Sequence, residues 1–90
     1  MAYVIIKHNV EDFDKWKEGF DNAAEMRSQA GEKSVQIFRD SEDQNLIFGV
    51  VEFESKEQAQ AFFGSEELKA KMGEAGVVGE PAIYFVDKID

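Results

Sequence analysis

The stretch Leu46-Ile47-Phe48-Gly49-Val50-Val51-Glu52-Phe53 limits most severely what this chain can fold into. Its β-branched and aromatic content reads as a β-strand. It does not alternate apolar with polar residues. A strand with one wet face alternates, whereas a near-continuous apolar run implies burial on both faces. Ala2-Tyr3-Val4-Ile5-Ile6 and Ala82-Ile83-Tyr84-Phe85-Val86 have the same character. The fold must therefore bury both sides of a sheet that carries these three strands.

Ninety residues suit one domain with one modest core, so residues 1–90 are read as a single unit. At 43% hydrophobic and 12% aromatic residues, that core needs no outside help. There is no cysteine, which removes disulfide and thiolate chemistry and fits a cytoplasmic protein. The N-terminus lacks the pattern of a signal peptide, and no apolar run approaches the roughly 20 residues that span a bilayer. The formal charge is −9, from 19 acidic and 10 basic residues. An acidic surface argues against nucleic acid and against anionic membranes. It fits solvated helix faces and loops.

In chain order, the first strand is expected over about Ala2 to His8. Asp12 is a fair N-cap for a helix, with Asp14 in the first turn. Phe13, Trp16, Phe20, Ala23, Ala24 and Arg27 recur at helical spacing, and Gly19, Ala23, Met26 and Ala30 make a mostly small row that lets the helix lie close on a sheet. Gly31 is the expected stop. Ser34 to Asp40 reads as a second strand, followed by the polar loop Ser41–Asn45 and then the Leu46–Phe53 strand. Ser55 and Gln58 are spaced as a capping box for a second helix. Gly64-Ser65 should break or kink it before a further turn or two with Leu68, Met72 and Ala75. Gly76–Pro81 reads as a loop, with Pro81 opening an extended last strand.

The order strand, helix, strand, strand, helix, strand matches the α+β, ferredoxin-like antiparallel arrangement, with spatial order 4-1-3-2 and both helices on one face. Two helices cover only one side. Alternation within strands suggests one face of Tyr3, Ile5, Val35, Ile37, Leu46, Phe48, Val50, Ile83 and Phe85, and another of Val4, Ile6, Phe38, Ile47, Val51, Phe53, Tyr84 and Val86. Either is too apolar to leave exposed. A second copy packed face to face, a C2 homodimer, is the expected cover.

Nearly the whole chain resembles the dimeric α+β barrel superfamily, and within it small domains similar to antibiotic-biosynthesis monooxygenases. The resemblance rests on Lys7-His8, then Val10 and Asp12 with Trp16 and Phe20. It continues through Arg27, Gly31, Phe38-Arg39-Asp40, Asp43, Asn45 and the Glu52–Ser55 strand exit. Leu68, Met72, Ala75-Gly76-Val77 and Pro81 complete it. It implies a dimeric barrel with an apolar ligand pocket between helices and sheet. The superfamily also holds isomerases, haem-degrading enzymes and proteins with no known reaction. Its cofactor-free monooxygenases oxidise polycyclic phenols through the substrate's own anion. Asn, Trp, Arg or His side chains orient and deprotonate the substrate.

His8, the only histidine, is the candidate catalytic base. The plain alternative is a strand-end histidine bonded to backbone. Trp16, Phe20 and Tyr84 are candidate ligand-binding walls, with Tyr84 placed by alternation on the His8 face; core packing is the plainer role. Arg27 is a candidate anchor for an anionic ligand, against a structural ion pair with Glu52. Lys7 and Arg39 read as rim charges. No His/Cys cluster suggests a metal, no glycine pattern forms a phosphate loop, and no serine has a nucleophile-elbow setting. No cofactor is expected, haem included. The first hypothesis is a cofactor-free monooxygenase- or cyclase-like enzyme acting on a small apolar or aromatic molecule. The alternative is a non-catalytic homodimeric ligand-binding or scaffold module.

Overall fold

The computed structural model describes residues 2–90. Four strands, β1 (Ala2–Val10), β2 (Glu32–Arg39), β3 (Leu46–Phe53) and β4 (Val77–Val86), form one antiparallel sheet in the order β2-β3-β1-β4. Helices α1 (Phe13–Asn22) and α2 (Ala24–Gln29) link β1 to β2, and α3 (Lys56–Phe63) and α4 (Glu66–Glu74) link β3 to β4. This is the expected ferredoxin-like α+β order, with each crossover helix broken in two. Among the described residues no helix is long and apolar enough to cross a membrane.

Local chemistry sets the helix ends. Asp12 caps α1 by accepting from the Asp14 N–H, and Ser55 caps α3 by accepting from the Gln58 N–H. Ser65 does the same for α4 through the Leu68 N–H, so the break at Gly64-Ser65 begins a new helix. Gly31 follows the α2 C-cap at φ 110°, a left-handed conformation suited to glycine. The break at Ala23 is not foreseen by the helical spacing. Arg27 Nη1 donates to the Phe20 carbonyl. That carbonyl would serve Ala24 in an unbroken helix.

Three strands are longer than expected, and β2 runs from Glu32 to Arg39 rather than from Ser34 to Asp40. β1 runs on to Val10, opposite Val77, so much of the Gly76–Pro81 loop is instead strand. A register shift opposite Lys7 to Asn9, with Gly79 at φ 72°, absorbs the extra residues. Pro81 is tolerated because β4 is an edge strand.

Register corrects the expected faces. Val35 faces Val51 and Ile37 faces Gly49, while Ile83 faces Ile6 and Phe85 faces Val4. Directly opposite residues share a face. These four therefore join Val4, Ile6, Ile47, Val51 and Phe53 under the helices. Tyr84 faces Ile5, and Phe38 faces Phe48, which puts both on the open face. The small row is also reassigned: a Cβ on Gly19 would lie 3.3 Å from Ala75 Cβ, so the close approach is to the end of α4.

The core lies between helices and sheet in two parts. Val4, Val51, Phe53, Ala59 and Phe62 form one, with Met26 and Leu68 against it. Val10, Trp16 and Ile47 form the other, beside Phe20 and Ala75. The open face keeps Ile5, Phe38 and Tyr84 exposed, the last at 57%.

Candidate functional site

Between the two core parts lies an apolar cavity of about 100 Å³. An apolar cavity of roughly 150 Å³ is known to stay dry and to admit benzene, so this one is on the scale of a single ring. β1 and β3 supply its floor through Ile6, His8, Ile47, Gly49 and Val51, and the helices supply its roof. Gly49 leaves a gap in the most buried strand. Ile6 Cγ2 and Ile37 Cδ1 fill that gap, 3.0 and 3.5 Å from where a Cβ would sit. Gly19, Ala23, Met26, Lys71 and Ala75 line both the cavity and an open groove with Lys15, Glu18, Asn22 and Glu74. The cavity therefore meets solvent between α1–α2 and α4.

His8 sits in the floor because strand alternation carries Val4, Ile6 and His8 to the helix side. It is 6% exposed, and neither Nδ1 nor Nε2 has a hydrogen-bond partner among the described residues. Such orphaned ring nitrogens are rare in a native core and need a reason. Burial pushes the imidazole below its usual value of 6.5, because a charged ring would be desolvated there. His8 is therefore neutral near pH 7, with one ring nitrogen free to accept a proton.

Trp16 and Phe20 form the wall that leads away from His8. The ring centroids of His8 and Trp16 are 5.4 Å apart, and those of Trp16 and Phe20 are 5.1 Å apart and nearly stacked. Arg27 closes the row with its guanidinium carbon 3.7 Å from the Phe20 centroid. Its ion pair is not with Glu52, as the sequence suggests, but with Glu32, at 2.8 Å from Nε to Oε2. Glu52 lies on the open face, where it accepts from Ser34 Oγ. The structure thus gathers His8, Trp16, Phe20 and Arg27 around one cavity and leaves Tyr84 on the opposite side of the sheet.

Glu32 also lines the cavity, and the sequence pattern does not single it out. The available signal is its position just past the Gly31 turn, which folds it back on Arg27. Burial raises the Glu32 carboxyl, against the pull of the Arg27 charge and hydrogen bond. Among the described residues no group of three or more His, Cys, Asp or Glu side chains is placed to hold a metal. Lys7 and Arg39 do not line the cavity; Arg39 covers Phe13 at 4.5 Å.

Residues 1–73 match the model of the antibiotic biosynthesis monooxygenase family. The chain belongs to that family. No curated protein matches the chain. Among solved structures, a Bordetella bronchiseptica protein named for the same family superposes with a TM-score of 0.80 at 19% identity, covering 98% of this chain and 96% of that one. SnoaB, a cofactor-independent oxygenase from Streptomyces nogalater, gives 0.73 at 9% identity over 98% and 94% of the two chains. A monooxygenase of Streptomyces coelicolor from the gene ActVA-Orf6, solved with nanaomycin D, gives 0.64 at 17% identity over 99% and 88%. At such identities the likeness establishes a common fold. By family and fold, this member is monooxygenase-like.

Proposed function

We propose that this family member is a cofactor-independent oxygenase that uses His8 as its base on a small apolar or aromatic molecule, and that it works as a homodimer. The observation that carries the reading is a buried histidine with both nitrogens unpartnered in the floor of an apolar cavity. A structural histidine would bond at least one of them.

The neutral imidazole accepts a proton from an acidic C–H or O–H of the substrate. The electron pair left behind is delocalised over the substrate's ring and reduces dioxygen, itself an apolar molecule suited to such a cavity. A carbon–oxygen bond forms to give a peroxide anion, which takes the proton from the imidazolium to become a hydroperoxide. Loss of water then converts a ring-activated CH₂ into C=O. The substrate supplies all four electrons, one oxygen atom enters the product and the other leaves as water. Trp16 and Phe20 hold the substrate's flat face, and Arg27 fixes the far end of that wall.

The homodimer reading follows from the open face of the sheet. Ile5, Phe38 and Tyr84 are exposed there, and Tyr3, Phe48, Val50 and Val86 are half-buried beside them. Packing that face on a second copy removes the patch from water.

The test is oxygen consumption with a panel of one- to three-ring phenols and their keto tautomers, wild type against His8→Ala. The expected result is a loss of about 10²- to 10⁴-fold in the variant. Undiminished turnover in His8→Ala would exclude His8 as the base. No consumption by the wild type across the panel would favour the non-catalytic ligand-binding module.

A further inference from the structure

The cavity has a second polar centre that the chemistry assigned to His8 does not use. His8 lies opposite Ile47 and Glu32 opposite Phe53, at the two ends of β3. That is roughly 20 Å of strand. Both residues line the same cavity, and the lining between them is apolar: Ile6, Ile37, Gly49 and Val51. The Glu32 side chain is only 10% exposed, and it uses Oε2 for Arg27 Nε. Among the described residues, Oε1 takes no hydrogen bond. Arg27 is in turn held on three sides, by Glu32, by the Phe20 carbonyl and by the Phe20 ring. The carboxylate is therefore fixed in place through Oε2, while Oε1 takes no hydrogen bond from the described residues and is still reached by solvent.

We infer that Glu32 is the specificity-determining acceptor of this cavity, taking a hydrogen bond at Oε1 from a hydroxyl carried by an aromatic ligand whose ring lies between β3 and Phe20. The inference rests on the reading that the cavity holds a small molecule. A carboxylate only accepts, so it selects a ligand that donates. A ligand lacking the hydroxyl would bury this oxygen without a partner, and sites of this kind reject such analogues strongly. The raised Glu32 carboxyl agrees, since its charge is under-solvated in the free protein and gains from a further donor. A ring bound at this end is distant from His8. A substrate that reaches both ends is consequently longer than one ring, and the flexible side chains of Met26 and Met72 give it room.

The test uses phenol and its methyl ether anisole, which have similar rings but differ in the donor. Each is titrated into the wild type, Glu32→Gln and His8→Leu, followed by ¹H–¹⁵N chemical shifts that also report whether each variant is folded. The wild type should prefer phenol about tenfold or more, as expected for a hydrogen bond to a charged group. Glu32→Gln should reduce that preference to about threefold or less, because its amide oxygen stays on Arg27 and its NH₂ faces the ligand. His8→Leu should keep it. The double variant Arg27→Met with Glu32→Met, which removes both charges together, should lose it as Glu32→Gln does. A preference that survives in Glu32→Gln and disappears in His8→Leu would overturn the inference and place the acceptor at His8, with the pocket intact. Failure of both probes to saturate the wild type would overturn the small-molecule reading and this inference with it.

Discussion

Replacing His8 with leucine is expected to stabilise the fold while removing the proposed base. The imidazole is 6% exposed and both of its nitrogens lack partners. An unsatisfied buried polar group costs about 1–3 kcal/mol. Leucine restores apolar contact but loses the ring pairing with Trp16 at 5.4 Å, and such pairings contribute about 0.5–1.5 kcal/mol. The net expectation is a gain of about 1 kcal/mol at pH 7.5, or a rise in Tm of about 4–8 °C for a domain of this size. The pH dependence has a definite sign. The folded-state imidazole titrates below 6.5 because of burial, so below that pH the unfolded chain binds the proton more readily. The wild type keeps its full stability above about pH 6.5 and loses some as the pH falls from there toward the depressed folded value. Leucine has no such loss, so its advantage should widen at pH 5.5. Thermal unfolding followed by circular dichroism at both pH values measures this, and the carboxylates common to both proteins cancel in the difference. A variant less stable than wild type by more than about 1 kcal/mol, or an advantage that does not change with pH, would refute the reasoning. Either would mean that the imidazole is satisfied in the native protein. A functional residue that costs stability is an expected trade in active sites.

Two further outcomes follow from the same geometry. Glu32→Ala should lose about 3–5 kcal/mol in urea unfolding, because the Arg27 side chain, 13% exposed, would be left as an unpaired charge, whereas joint replacement of Arg27 and Glu32 by methionine should be nearly neutral. Tyr84→Asp combined with Phe38→Asp should convert the proposed dimer to a monomer in native mass spectrometry, since both residues lie on the open face at 57% and 53% exposure; a dimer that persists would move the interface elsewhere.

Much of the fold is written locally, and that part is legible in the sequence. Asp12, Ser55, Gly31 and Gly64-Ser65 mark helix ends by side-chain and backbone chemistry that needs no neighbour, and the structure places caps and stops at each of them. The strand order follows from the succession of elements. What is not legible is the phase between strands. Alternation says that Ile83 and Phe85 share a face, and that Val4 and Ile6 share one, but only the register Phe85 opposite Val4 says that these faces are the same. The same missing information puts Tyr84 beside His8 in the sequence and on the far side of the sheet in the structure. Gly76–Pro81 reads as a loop because glycine and proline usually mark one, yet on the edge strand β4 a bulge accommodates them. The break at Ala23 has no local mark, since it accompanies a hydrogen bond from Arg27.

The candidate site divides in the same way. His8, Trp16 and Phe20 are recognisable by residue type and spacing, and they meet because His8 falls on the helix face of β1 opposite the α1 stripe. Arg27 is recognisable as a charge on an apolar stripe, but its partner is decided by the turn at Gly31 and not by the end of β3. Glu32 carries no signal apart from that turn.

The proposed chemistry requires a His8 imidazole that is neutral and unpaired inside the cavity. Because the chain has one histidine, a proton NMR titration of its Cε1–H resonance follows this group alone. The expected midpoint lies below 6.5, because burial disfavours the charged ring. A midpoint at or above 6.5 would contradict a buried, unpaired imidazole.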